Sequence, residues 1–174
     1  GAVDGYGIFT YPTGGDLSIE NCVFKNSYTP IRLGHEIGKL RLIGNRIITS
    51  APLTTKSTVC LYIRNHDVIM QGNDIRIHDA NDYNSSIIRL ISNERVIIAD
   101  NIIQNDGTLG NYAFNLDSVE YSSVSGNIVR GFVNAVFFSG SHTDIVISGN
   151  SFKDCQSKFN SSPVNLIESG NSGT

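Results

Sequence analysis

Short apolar segments alternate with polar positions along the whole chain, and one pattern of alternation recurs. It reads apolar-x-apolar-x-x-Asn-x-apolar, and successive copies begin 23 to 28 residues apart. Ser122 breaks the first apolar position of its copy, and Cys22 replaces the asparagine in the first copy. The copies are LSIENCVF (17–24), LRLIGNRI (40–47), VIMQGNDI (68–75), VIIADNII (96–103), SSVSGNIV (122–129) and IVISGNSF (145–152). Regular spacing of this kind predicts a repeat protein.

A second apolar segment precedes each copy, so each repeat contains a strand, a turn, a second strand, an asparagine corner and a short third strand. Loops of variable length are predicted at 49–58, 78–86, 105–112, 131–134 and 154–162. The preceding strands are predicted at 7–11, 30–34, 60–64, 87–91, 113–117 and 135–139, with a seventh, PVNLI, at 163–167.

One repeat of fewer than 30 residues cannot bury its own apolar side chains, so the repeats must stack. Stacking places Leu40, Leu42 and Ile47 under the matching residues of the next copy, with about 4.8 Å between parallel strands. A leucine-rich repeat would show Leu-x-x-Leu-x-Leu before the asparagine, and a β-sandwich would need antiparallel hairpins. The sequence therefore predicts an all-β parallel β-helix, a solenoid of about six coils.

The asparagines of the pattern predict a structural column at the bend between the second and third strands. We expect these residues to adopt left-handed backbone angles, which asparagine tolerates well. Their stacked amides would hydrogen-bond from coil to coil as an internal Asn ladder. The ladder residues are Asn45, Asn73, Asn101, Asn127 and Asn150.

Composition narrows the classes of function. The net charge is −3 and only 17% of residues are charged, which argues against a nucleic-acid partner. No apolar run approaches the roughly 20 residues that span a bilayer, so no membrane partner is expected. The three cysteines, Cys22, Cys60 and Cys155, form no disulfide framework by their spacing. The four histidines show no metal-ligand spacing, so neither a metal nor another cofactor is expected.

The repeated VISGNSF-type pattern resembles the right-handed parallel β-helix superfamily, which includes pectate-lyase-like enzymes, other polysaccharide lyases, epimerases and phage tailspikes. No local signature of one catalytic branch is found, and neither end shows the capping helix that is usual in this fold. We therefore expect a single domain over 1–174, cut from a larger protein. The resemblance to tailspikes and tail fibres implies a polysaccharide partner, a homotrimer, and a location outside the cell or in a virion tail.

Alternation along the first strand of each repeat places one row of side chains on the outer surface. Arginine, asparagine and aromatic side chains in such a row suit contact with saccharides, although exposed phenylalanines would also suit an oligomer interface. The predicted row contains Phe9, Arg32, Tyr62, Arg89, Asn115, Phe137 and Asn165. The candidate carbohydrate-binding residues are Arg32, Tyr62, Arg89, Asn115, Asp117 and Phe137.

The sequence does not assign the catalytic residues. Asp117 could act as an acid or base, but a glycosidase needs a second carboxylate. Its candidate partners are Asp79, Asp82, Glu94, Asp106 and Glu120. A lyase would instead need a cationic site, for which the column after the corner is a candidate: Lys25, Ile48, Arg76, Gln104, Arg130 and Lys153.

Three functional hypotheses follow. The first is a phage tailspike or tail-fibre segment that recognises a bacterial surface polysaccharide and perhaps degrades it. The second is a secreted polysaccharide lyase or inverting glycoside hydrolase. The third is a purely structural stalk or adhesin segment.

Overall fold

The computed structural model of the chain describes residues 6–10, 15–25, 29–33, 38–49, 61–64, 67–77, 86–106, 110–161 and 165–173. Within these ranges the regular structure consists of β-strands, and no helix is present. The strands are β1 (Tyr6–Thr10), β2 (Leu17–Glu20), β3 (Val23–Lys25), β4 (Thr29–Leu33), β5 (Lys39–Ile43), β6 (Arg46–Thr49), β7 (Leu61–Ile63), β8 (Asp67–Gln71), β9 (Asp74–Ile77), β10 (Ser86–Ile91), β11 (Arg95–Ala99), β12 (Ile102–Asn105), β13 (Gly110–Asp117), β14 (Glu120–Ser125), β15 (Ile128–Arg130), β16 (Phe132–Ser139), β17 (Thr143–Ser148), β18 (Ser151–Lys153), β19 (Ser157–Phe159) and β20 (Leu166–Ser169).

The strands form three parallel sheets, and the chain visits them in turn. Sheet A contains β1, β4, β7, β10, β13, β16 and β19; sheet B contains β2, β5, β8, β11, β14, β17 and β20; sheet C contains β3, β6, β9, β12, β15 and β18. We call each set of three successive strands a coil, from coil 1 (β1–β3) to coil 6 (β16–β18). The predicted all-β parallel β-helix is confirmed, although sheets of seven, seven and six strands differ slightly from about six coils.

The core fills the space between the sheets, in the columns that the repeat predicts. Leu42 pairs with Met70 and Met70 with Ile98, and all three side chains are at most 1% exposed. On sheet C, Ile75 and Ile103 lie in register and are fully buried. β-Branched and long aliphatic side chains thus form continuous stacks, which no single coil could bury alone.

The Asn ladder is confirmed and has the same geometry at each step. The Asn101 side-chain carbonyl accepts from the backbone N–H of Asn73 at 2.9 Å and from the Asn73 amide at 2.8 Å. The Asn101 amide donates to the Met70 carbonyl at 3.0 Å and to the Asn127 side chain at 2.9 Å. Cys22 begins the column, where its backbone N–H donates to Asn45. The ladder satisfies the polar backbone of a buried corner.

The predicted backbone conformation of the ladder residues is wrong by one position. The left-handed residue of each corner is the one before the ladder asparagine, or before Cys22 in the first copy. These residues are Asn21, Gly44, Gly72, Asp100, Gly126, Gly149 and Gly170, with φ between 53° and 65°. The glycines of the repeated Gly-Asn pair therefore make the turn, and the asparagines make the hydrogen bonds.

The C-terminal end of the repeat also differs from the prediction. The seventh strand of sheet A is β19, inside the predicted loop 154–162, whereas Leu166–Ser169 of the predicted PVNLI region pairs with β17 in sheet B. LIESGN (166–171) is a further copy of the pattern, and Asn171 extends the ladder by accepting from the Asn150 backbone at 2.9 Å. Asn165 lies in a turn with φ 62°, not in the outer row of sheet A.

Candidate functional site

The outer row predicted on sheet A is a real row of the structure. The backbones of Phe9, Arg32, Tyr62, Arg89, Asn115 and Phe137 lie in register on successive strands. The side chains of Phe9 and Arg32 lie outside the described part of the structure. The other four are half-buried, as expected for the outer face of a sheet with close neighbours.

Two members of this row, Arg89 and Asn115, lie beside a group of polar side chains at the ends of β13 and β16. Arg89 contacts Asp117 with 3.3 Å between Nη2 and Oδ2, and their side chains are 37% and 24% exposed. The Ser118 hydroxyl donates to the other oxygen of Asp117 at 3.2 Å. The Ser139 hydroxyl donates to the Asn115 side-chain carbonyl at 3.0 Å. The structure thus brings Arg89 into contact with Asp117, whereas the sequence placed Arg89 only beside Asn115 in the outer row.

An aromatic pair adjoins the polar group. The rings of Tyr112 and Phe137 stack with centroids 4.2 Å apart and planes 28° apart. Sequence reasoning missed Tyr112 because it assigned 105–112 to a loop, whereas β13 begins at Gly110. Ala113 and Phe114 are both fully buried, so strict alternation breaks there. The only signal in the sequence was an aromatic residue immediately before a predicted strand.

Glycine at the corner after sheet A leaves room for Ser118 and Asp117. Gly140 has φ 80°, and a Cβ there would lie 2.1 Å from the Ser118 hydroxyl and 3.0 Å from Asp117. On the same corner, the Nδ1 atom of His142 accepts from the Val119 backbone N–H at 3.4 Å. Burial lowers the pKa of His142 below its usual 6.5, so the neutral ring that accepts this bond is favoured. His142 therefore supports the corner.

The described residues assemble no pair of carboxylates across this face. Asp117 is the only carboxylate on the sheet A strands. Glu94 and Glu120 lie beyond the corner towards sheet B, and Asp106 precedes β13, at the opposite end of the strand from Asp117. Asp79 and Asp82 fall outside the described residues. Nor does any group of three potential metal ligands occur in the part of the chain that the structure describes.

The predicted column after the Asn corner lies on sheet C, and its residues from Lys25 to Lys153 pair in register on successive strands. Two of its arginines are engaged within the chain. Arg76 contacts Asp74 at 2.9 Å, and Arg130 contacts Asp154 at 2.7 Å. This neutralisation weakens the case for a lyase-type cationic site on sheet C.

Comparison with models of protein families, with curated proteins and with solved structures found no match. Among the residues that the structure describes, no helix has the length and apolar character needed to cross a membrane. The three stacked parallel sheets define a β-helical solenoid, and this fold is compatible with a structural stalk or with a tailspike segment.

Proposed function

We propose that the chain binds a polysaccharide through the outer face of sheet A, as a segment of a bacteriophage tailspike or tail fibre. The observation that carries this proposal is the stacked Tyr112–Phe137 pair beside the Arg89–Asp117 contact. An aromatic ring offers an apolar surface to the apolar face of a sugar. The neighbouring guanidinium and carboxylate offer charged hydrogen-bonding groups to its hydroxyls.

The shape of the face supports a chain-like ligand. The row from Tyr62 to Phe137 crosses four neighbouring strands, which span about 14 Å at 4.8 Å per strand. Such a row offers repeated contacts along one direction, as a polymer of sugar units requires. An assembly of three copies, located outside the cell or in a virion tail, belongs to the same proposal.

A binding screen tests the proposal. A panel of bacterial surface glycans is measured with the parent chain and with Arg89→Ala, Tyr62→Ala and Phe137→Ala. We expect at least one ligand. Arg89→Ala should lower its affinity about tenfold or more, because a hydrogen bond to a charged group contributes about 1.5–3 kcal/mol, and Tyr62→Ala and Phe137→Ala should lower it by removing aromatic surface that packs on the sugar. Gln156→Ala, at an exposed position between β18 and β19, is the control.

Two results would refute saccharide recognition at this face. One is a panel without a single ligand, and the other is unchanged affinity in all three sheet A variants. The purely structural stalk would then be the better reading. Release of unsaturated sugars that absorb ultraviolet light would add lyase activity to the proposal, and release of saturated oligosaccharides would add hydrolase activity.

A further inference from the structure

The exposed apolar side chains of the described residues avoid sheet A. Six large hydrophobic side chains are more than a third exposed, and all six belong to sheets B and C. They are Ile97 (46%), Tyr121 (62%) and Ile167 (60%) on sheet B, and Val23 (59%), Ile102 (37%) and Ile128 (42%) on sheet C. Exposed apolar side chains gathered on particular faces of a monomer indicate contact surfaces.

On both faces a column of charged side chains lies at the strand ends far from the Asn corner, whereas on sheet C Arg46 and Asp74 share the column next to the corner with Ile102. On sheet C, Ile102 directly follows Asn101, whereas the column that contains Arg130 lies two residues further along its strand. On sheet B, Ile97 and Ala99 lie near the corner, and Arg95 begins the strand. A contact between the two faces would therefore have a charged edge at the strand ends far from the corner, with exposed Tyr121 beside Glu120 at that edge.

The two faces also carry opposite net charge. The strands of sheet C have five cations and one carboxylate, a net charge of 5 − 1 = +4. The strands of sheet B have three cations and five carboxylates, a net charge of 3 − 5 = −2. At the rim, Arg130 and Lys153 on sheet C occupy coils 5 and 6, and Glu120 and Asp144 on sheet B occupy the same two coils.

We propose that sheet B of one copy packs against sheet C of a second copy, in a heterologous contact about an axis parallel to the solenoid. Rotation about such an axis keeps each coil at the same height, so Arg130 meets Glu120, and Lys153 meets Asp144. Coil 2 adds no such pair, because the column of Arg130 contains Ile48 in this coil, where it would face Lys39. A heterologous contact about such an axis closes into a ring when the rotation between copies divides a full turn, as a rotation of about 120° does for three copies.

This inference names the contact surfaces of the oligomer in the proposed function, but it does not depend on saccharide binding. Sheet A faces solvent in the ring, so its outer row stays accessible. In this arrangement Phe137 is not buried between copies. Saccharide binding and self-association therefore use different faces and can be tested separately.

The area of the two faces limits the expected affinity between copies. Six strands span roughly 24 Å, and four residues of a strand span roughly 13 Å, so one face covers roughly 300 Å². A stable interface usually buries about 800 Å² on each partner. Each copy in a ring makes two contacts, yet the association should still depend on protein concentration.

Sedimentation velocity over a wide range of protein concentration tests the contact. The parent chain should associate, and Arg130→Glu or Glu120→Arg should each weaken association about tenfold or more. The double variant Arg130→Glu/Glu120→Arg should recover it, because every contact in the ring regains an opposite pair. Asn115→Arg, on the outer face of sheet A, is the control and should associate like the parent.

Arg130 also contacts Asp154 within the chain, so Lys153→Glu serves as a second variant, and thermal melting confirms that each variant is folded. A parent chain that stays monomeric at the highest concentration overturns the inference. So does a folded double variant that fails to recover association, or an equal loss of association in Asn115→Arg. Loss of glycan binding with intact association would count only against the proposed function.

Discussion

Replacing Asn101 by leucine removes one step of the ladder at its centre. The Asn101 side chain is fully buried and takes part in four hydrogen bonds between 2.8 and 3.0 Å. Leucine has a similar size but neither donates nor accepts. The backbone N–H of Asn73 then loses its acceptor inside the protein, and Met70, Asn127 and the Asn73 amide each lose one bond.

The expected cost follows from these groups. A buried donor left without an acceptor costs about 1–3 kcal/mol, and each ordinary hydrogen bond contributes about 0.5–1.5 kcal/mol. The Asn73 side-chain amide keeps its bond to Leu42, and the Asn127 side-chain carbonyl keeps its bond from the Asn101 backbone N–H. We therefore expect a loss of about 3–5 kcal/mol in the free energy of unfolding. Many domains have only about 5–15 kcal/mol in total. The variant should therefore unfold at a much lower denaturant concentration.

Urea unfolding followed by far-ultraviolet circular dichroism measures this loss. Cys22→Leu is the matched control, because Cys22 occupies the same column at its exposed first step. The control should change stability by no more than about 0.5 kcal/mol. Hydrogen exchange of the Asn73 backbone N–H should accelerate in Asn101→Leu. A loss below about 1 kcal/mol would refute the reasoning that the ladder stabilises the corner.

Two further predictions concern other corners. Gly72→Ala and Gly126→Ala both place alanine at φ near +65°, but only at Gly126 would the Cβ meet Asp100, at 2.5 Å. We expect Gly126→Ala to lower the melting temperature more than Gly72→Ala, and equal losses would contradict the contact. Burial lowers the pKa of His142, so the stability it contributes is complete above pH 6.5 and falls as the pH drops below that value. His142→Asn keeps an acceptor for the Val119 N–H without titrating, so its urea midpoint should vary less with pH than that of the parent; an unchanged pH dependence would contradict this role.

Much of the fold could be predicted because its signals are local and repeated. Alternation identified the inward columns that contain Leu42, Met70 and Ile98, and the spacing of the copies gave the parallel register. The left-handed position of the corner was assigned to asparagine because both residues of Gly-Asn tolerate left-handed angles. Only the coordinates show that Gly44 turns the chain and that Asn45 makes the hydrogen bonds.

Less of the candidate site could be predicted, because its members meet only after folding. The sequence placed Arg89, Asn115 and Phe137 in one row. It did not show that Arg89 reaches Asp117, or that Tyr112 stacks on Phe137. Those contacts depend on how far β13 extends and on the break in alternation at Ala113, and neither has a local signature.

The C-terminal coil separates what the sequence determines from what only the folded structure decides. The sequence by itself determined a stack of parallel coils and an asparagine column, since each copy repeats the demand to bury its apolar positions and satisfy its corner. LIESGN places Glu168 where the other copies have an apolar residue, and this change hid the copy that carries Asn171. Only the tertiary structure could recover it, because register comes from pairing with β17, whereas a sequence pattern compares one residue at a time.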